Sequence, residues 1–402
     1  MIVEKKTVKL TELKLYPDNP NQGDIGAIAT SIEEFGQFRS IVVNKRTMEI
    51  LAGNHTFLAM KMLGKEEIDA EFVDVDEITA KKIVLADNRL SEISMYDTDV
   101  LKNILVEIAE TDTLVGTGFD GDDLDALIAE LETPLDLDSN KKVDPDEKKN
   151  FKRKLPLDLI YSFSPYATTT FIAKEFGWLA GSISKECHRY VDKEIYRQRF
   201  DWSHKIEFID NEWKGYDHER HIKAVSFFKP KYATTRDIMS SDQCRENDIE
   251  YYTFDQIMDF AKDVDKYAEN TILIPKYDCI DKIPENYVLG FSVPTSYGGT
   301  EVNYEAFKGR KIHLLGGSWK LQLQYLEYFG DDVISIDNNY IYKIGEFGQY
   351  VLEDGSLARL DKDMNYPVGS VKSHVTLATT LSITNITKKV TEMFGQGQLE
   401  EE

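Results

Sequence analysis

The stretch Lys311–Asn339, KIHLLGGSWKLQLQYLEYFGDDVISIDNN, decides the architecture of the larger part of this chain. A short apolar run (Lys311–Leu315) turns through Gly316-Gly317-Ser318 into helical apolar spacing over Trp319–Phe329. A second apolar run (Asp332–Ile336) then ends at Asp337. Short apolar runs bounded by turn residues read as buried strands, and strand–helix–strand is the repeating unit of a parallel sheet.

Working outward, the same pattern recurs. Further strands are expected at Leu159–Phe163, Lys205–Ile209, Ala233–Asp237, Thr271–Pro275 and Tyr287–Val293, with another helix at Phe254–Tyr267. Repeated βα units across residues 151–402 suit a TIM-like (β/α)8 barrel, with an open doubly wound sheet as the competing architecture. In such a barrel chemistry sits where strands end. Here they end in Asp210 (followed by Asn211 and Glu212), Asp237, Lys276, the Gly290–Ser292 strand, Gly298-Gly299, Gly316-Gly317 and Asp337. One aspartate after a strand is ordinarily a turn residue or helix cap. Three acids, two diglycine loops and a lysine on one face suggest a site. Glycine lets backbone approach a planar ligand, and paired carboxylates suit glycosidic chemistry, in which one attacks C1′ and another manages the leaving group's proton.

Upstream, Thr133–Asn150 (TPLDLDSNKKVDPDEKKN) is too charged and too poor in apolar residues to fold alone, and reads as a linker. It separates a domain of residues 1–132 from the barrel at 151–402. The N-terminal part reads as a small α+β unit: an extended Val8–Leu15, a helix Ile25–Phe35, a strand pair Ile41–Val43 and Glu49–Leu51, a helix His55–Leu63, a strand Ile68–Val75 and helices at Ile78–Asp87, Asp97–Ile108 and Asp120–Leu131. Between strand and helix, Gly53-Asn54-His55 offers free N–H groups of the kind that attract phosphate. The same residues also read as a plain turn that needs Gly53, and both readings stay open.

The full chain has 402 residues and a formal net charge of −23. Residues 1–150 hold 17 basic and 32 acidic residues, and 151–402 hold 31 and 39. That balance excludes gripping nucleic acid by bulk charge but not through a local basic groove. The start, MIVEKKTVKLTEL, lacks a secretory apolar region and no stretch is long enough to span a membrane, so a cytoplasmic location without membrane contact is expected. Cys187, Cys244 and Cys279 lie far apart, which argues against disulfides and a cysteine zinc site. His218 and His221 could share a metal, but an exposed helix turn is favoured because no third ligand is near. Three segments could touch a DNA backbone: FKRKLP (151–156) with Lys148 and Lys149, the basic–aromatic stretch 185–205 with Arg197, Arg199 and Trp202, and Lys231 with Arg236 beside the mouth. A solvated linker end and an amphipathic helix are the plain alternatives for the first two.

LYPDNPN (15–21), SIEEFGQFRSIVV (31–43), ILAGNHTFLAMKMLG (50–64) and KIVLADNRLSE (82–92) together resemble the ParB/sulfiredoxin-like domain across residues 8–95. The resemblance implies nucleotide or phosphate contacts at Gly53, Asn54 and His55, and docking of DNA or a protein partner. Relatives often carry an arginine after the histidine; here Thr56 stands there, which argues against nucleotide hydrolysis or nuclease action.

The order EFIDNE, TTRDIMS, PKYD, LGFSVP, LLGGS, VISIDNN resembles tRNA-guanine transglycosylase, and more closely the phage-type 7-deazaguanine DNA transglycosylases, some of which carry an N-terminal ParB-like domain. The resemblance implies a pentosyltransferase that exchanges guanine in DNA for a 7-deazaguanine base. In that reading Asp337 is the nucleophile and Asp210 the proton-transfer acid. Asp237, Gly290 and, at a position usually held by glutamine, Lys276 contact the base, with Ser292, Gly316 and Gly317 lining the site. The tRNA enzymes bind zinc after the nucleophile through cysteines. Here only His374 remains in that region, so no metal and no cofactor is expected. The alternatives are a catalytically inert DNA- or partner-binding protein and a nucleoside hydrolase; the second would need an early cluster of aspartates that residues 151–200 lack.

Overall fold

The structure is a computed structural model that describes residues 2–17, 25–92, 98–111, 113–119, 123–124, 156–162, 167–192, 205–212, 214–294, 299–360 and 371–394. The proposed linker 133–150, the basic run 148–155, Arg197, Arg199, Trp202, Gly298 and most of the expected helix Asp120–Leu131 lie outside these residues. Two compact units form, one of residues 1–124 and one comprising most of 125–402.

The first unit is a mixed five-stranded sheet. Strands β1 (Ile2–Lys9), β2 (Lys14–Leu15), β3 (Ile41–Asn44), β4 (Glu49–Ala52) and β5 (Glu67–Val73) lie in the order β1-β5-β3-β4-β2. Helices α1 (Ile25–Phe35), α2 (Asn54–Met62), α3 (Glu77–Glu92) and α4 (Thr98–Thr111) accompany it. The period-2 pattern of β5 buries Ile68, Ala70 and Phe72, which meet Ala29 and Ile32 of α1 and Phe57 and Met60 of α2 in one core.

The second unit is a closed barrel of eight parallel strands. In chain order they are β6 (Asp158–Ser162), β7 (Leu179–Ile183), β8 (Ile206–Asp210), β9 (Tyr232–Thr234), β10 (Asn270–Leu273), β11 (Val288–Ser292), β12 (Ile312–Leu315) and β13 (Val333–Asn338). Each strand pairs with the next, and β13 closes the ring on β6 with Asp337 opposite Ile160. Closure excludes the open sheet. Outward residues such as Leu159, Leu273, Leu289, Phe291, Leu314 and Ile336 belong to the main core with the surrounding helices. Ile160, Phe208, Tyr232, Ile272, Ile274, Val288 and Leu315 form a separate cluster. They come from strands all around the ring, so they can meet only in its interior.

The connecting helices are α5 (Ala167–Glu175), α6 (Ser184–Asp192), α7 (His218–Phe228), α8 (Ser241–Glu246), α9 (Phe254–Asp265) and α10 (Trp319–Phe329). After β13 come α11 (Tyr340–Glu346), a hairpin of β14 (Gln349–Val351) and β15 (Leu357–Arg359), and the long α12 (Val371–Phe394). The outer layer departs from a regular (β/α)8 pattern. The β10–β11 and β11–β12 connections carry the 3-10 turns Ile280–Lys282 and Tyr304–Phe307, with no α-helix among the described residues. Strand β7 escaped the sequence reading because Ala180, Gly181 and Ser182 give it no apolar run. Its small residues have a cause: a Cβ on Gly181 would lie 2.5 Å from Ser162 Oγ and 2.9 Å from Phe208 Cδ1. The strand expected at Ala233–Asp237 stops at Thr234; the chain bends and rejoins the sheet only at the Ile238–Pro275 bridge. Asp237 therefore sits on a loop just beyond β9.

Candidate active site

Asp210 is the last residue of β8, and Thr234 the last of the neighbouring β9. Thr234 Oγ1 donates to Asp210 Oδ1 at 2.7 Å, and the Asn211 backbone N–H donates to the same oxygen at 2.8 Å. Asn211 Nδ2 reaches across to Asp237 Oδ1 at 3.1 Å, so one amide side chain links the surroundings of two acids. Thr234 is held from below, where its carbonyl lies 2.8 Å from Nε2 of the fully buried His221.

On the next strands, Lys276 follows β10 and its Nζ donates to Ser292 Oγ at 2.8 Å and to the Gly299 carbonyl at 3.3 Å. It lies 3.7 Å from Asp237 Oδ2. Lys276, Ser292 and Asp237 thus form one connected group at the ends of β9, β10 and β11. Across the mouth, Asp337 on β13 is 3% exposed, and its Oδ1 accepts from the Gly316 N–H at 3.1 Å. Gln322, fully buried on α10, donates to both the Gly316 and the Asp337 carbonyls at 2.8 Å and fixes this loop against the strand.

Two of the acids act on the third. Burial and then the Asp337 charge, with Asp237 adding to them, push the Asp210 carboxyl up to about 7 against the donors from Thr234 and Asn211. A half-buried carboxyl that titrates near neutrality beside two other acids can give and take a proton under ordinary conditions.

The glycines divide. Gly316 and Gly317 have φ of +63° and +77°, so the diglycine turn needs the left-handed region that glycine tolerates. Gly290 has another reason: a Cβ there would lie 2.7 Å from Ile274 Cγ1, 2.8 Å from Leu315 Cδ1 and 2.9 Å from Ile272 Cγ2. Its empty side chain is filled by the barrel's interior packing.

Other expected residues fall elsewhere. Lys231 precedes β9 and pairs with Asp158 at the start of β6 (2.6 Å), at the end of the barrel opposite the mouth. It therefore cannot line the mouth as its nearness to Asp237 in sequence suggested, because a strand separates them. Arg236 is buried, with Nη2 directed to the Glu250 carbonyl at 3.5 Å. His218 and His221 do not converge on a metal. His218 lies 3.1 Å from Asp263 and stacks on Phe260, while burial pushes His221 down to about 4. His374 is buried against the Glu346 carbonyl. In the first unit Gly53 precedes α2 with φ of +90° and its Cβ position lies 2.6 Å from Ile41 Cγ2. Asn54 is buried, accepting from the Tyr16 N–H and donating to the Ile50 carbonyl, both at 3.0 Å. Gly53 and Asn54 thus hold the turn itself. His55 is half-buried at the second position of α2.

Sequence reading missed Thr234 and Gln322, whose signal is only a polar residue in an apolar stretch, and His313 of β12. His313 is fully buried, with Nε2 at 3.6 Å from Asp337 Oδ1.

A family described as "Family of unknown function (DUF6610)" matches residues 173–388, over half of the chain and most of the barrel. The N-terminal region is ParB-like. It is similar to the probable chromosome-partitioning protein ParB of Campylobacter jejuni, at 36% identity over 72 residues, 17% of this chain and 26% of that protein. The chain thus spans about a quarter of that relative's length. Among solved structures, similarity extends to C-terminally truncated ParB from Caulobacter crescentus complexed with CTP-gamma-S (17% identity, TM-score 0.29, 33% of this chain and 82% of that one). It also extends to a Pnob8-like ParB-N domain (16%, TM-score 0.21, 27% and 47%). Among the described residues no helix is long and apolar enough to cross a membrane.

Proposed function

We propose that this chain, which belongs to the DUF6610 family of unknown function, is a DNA base-exchange glycosyltransferase whose chemistry takes place at the barrel mouth. The observation that carries the reading is the convergence of Asp210, Asp237 and Asp337 at the strand ends, where Asp210 is driven to about 7 by burial and by the charges of the other two. A flipped guanine nucleotide enters the mouth. Asp237 and Lys276 hold the base edge. The Asp337 carboxylate attacks C1′, the C1′–N9 bond breaks, and the Asp210 carboxyl gives its proton to the departing guanine. A 7-deazaguanine base then attacks the same carbon, its ring proton passes to Asp210, and the C1′–O bond to Asp337 breaks. Each residue ends as it began, and no cofactor is consumed. The ParB-like unit, through its likeness to a chromosome-partitioning protein, supplies a module for docking DNA or a protein partner.

The near-complete burial of Asp237 and Asp337, 7% and 3% exposed, favours one other reading, an inert binding protein in which the acids are structural. Mass spectrometry of nucleosides from DNA co-expressed with the chain and a deazaguanine source separates the two. A modified deoxynucleoside that vanishes with Asp337→Asn supports exchange. Unmodified DNA with a folded, soluble chain refutes it.

A further inference from the structure

His313 is fully buried in the barrel interior, yet its Nε2 has no hydrogen-bond partner among the described residues. The ring is held on three sides. Nδ1 lies 2.8 Å from Ser335 Oγ on the adjacent strand. The Phe208 ring lies 5.1 Å away at 32°, and the Tyr232 ring 6.2 Å away at 28°. The free edge points to Asp337, with Nε2 at 3.6 Å from Oδ1. That is just beyond hydrogen-bond length, as is common for such contacts before substrate binds.

We infer that His313 is a positioning residue for Asp337, holding Oδ1 from beneath so that Oδ2 is the oxygen that attacks. This assignment rests on the base-exchange reading. An ionised carboxylate only accepts, so the nitrogen facing it carries the hydrogen. Nε2–H is then directed at Oδ1, and Ser335 Oγ–H donates to Nδ1. The Gly316 N–H falls on the same oxygen. Two donors converging on Oδ1 fix the carboxylate's rotation and leave the second oxygen for C1′. The unpartnered nitrogen, the serine and the short reach to the acid share this one explanation.

Two measurements on the full chain test it. The first does not depend on catalysis: nitrogen-15 spectra of the histidines in wild type, Asp337→Asn and His313→Gln, the last assigning the resonance. The expected result is the Nε2–H tautomer with an Nε2 resonance that shifts in D337N; an Nδ1–H tautomer, or no response to D337N, overturns the inference. The second is base-exchange kinetics. His313→Phe, which fills the space without a donor, should lower kcat about 100-fold with KM for DNA within about 2-fold, as for loss of one preorganised donor. His313→Gln, which restores an N–H, should recover most of the loss. Equal loss in both variants, or a loss confined to KM, overturns it. A wild-type chain without exchange activity refutes the proposed function instead, and the spectra still decide the pairing.

Discussion

Replacing Asp210 by asparagine should make the protein more stable in a manner that grows with pH. A carboxyl whose folded value is raised from its ordinary 3.8 to about 7 contributes stability that is fully present below about pH 4 and lost as pH rises through 7. At pH 5 the unfolded chain is already ionised at this position while the folded one is not, a penalty of about 1.5–2 kcal/mol relative to a neutral group. By pH 8 both states are ionised and the penalty reaches about 4 kcal/mol. Asparagine keeps an oxygen for Thr234 Oγ1 and the Asn211 N–H, so the two contacts that define the site persist. The stability gap between D210N and wild type should therefore widen by about 2–3 kcal/mol from pH 5 to pH 8. For a domain of this size that is a growth of about 5–10 °C in the melting-temperature difference. Urea or thermal unfolding of both proteins at pH 5, 6, 7 and 8 measures it. A gap that stays constant, or narrows toward pH 8, refutes the raised carboxyl and with it the proton shuttle assigned to Asp210.

Lys276→Met removes the cation 3.7 Å from Asp237 and the donor to Ser292, and should raise KM for the incoming base about 10-fold with a smaller change in kcat, read by competitive base exchange. Gly290→Ala forces a methyl to within 2.7–2.9 Å of three interior side chains and should destabilise the barrel by about 1–3 kcal/mol, measured as a lower urea midpoint. Gly53→Ala meets both a φ of +90° and Ile41 Cγ2 at 2.6 Å. It should destabilise the first unit by about 2 kcal/mol, seen as faster amide exchange across residues 41–60 with the barrel's protection unchanged.

The barrel was legible because most strands are buried on both faces and so read as near-continuous apolar runs. Runs such as IHLL and VISI announce β12 and β13, and the capping serine Ser318 announces the helix between them; its Oγ accepts from the Leu321 N–H at 3.3 Å. β7 is a strand of the same ring without that signature, since the space beside Ser162 and Phe208 admits no larger side chain than glycine at 181. Residues at strand ends were legible for the same reason: the polar residue that stops an apolar run is the one that reaches the mouth. Residues inside the runs were not. His313 stands one residue into an apolar strand, and nothing local says that it faces inward to Asp337 and not outward to a helix. Lys231 shows the converse error. It is six residues from Asp237 in sequence, yet β9 carries the two to opposite ends of the barrel.

The hydrogen-bond pattern also says which acid carries the proton. Asp237 has the Lys276 ammonium near one oxygen and the Asn211 amide on the other. Asp337 has the Gly316 N–H and faces His313. Asp210 receives only the neutral donors of Thr234 and Asn211, no ion pair reaches it among the described residues, and both neighbouring charges act against its ionisation. Three acids around one mouth cannot all be charged at small cost. The cheapest arrangement protonates the one with the weakest support, which is Asp210. In the proposed exchange this makes Asp210 the acid for the departing base and leaves Asp337 to attack and Asp237 to bind. The proposed division of labour rests on where the cation and the backbone donors lie, not on the identity of the residues, since all three are aspartates.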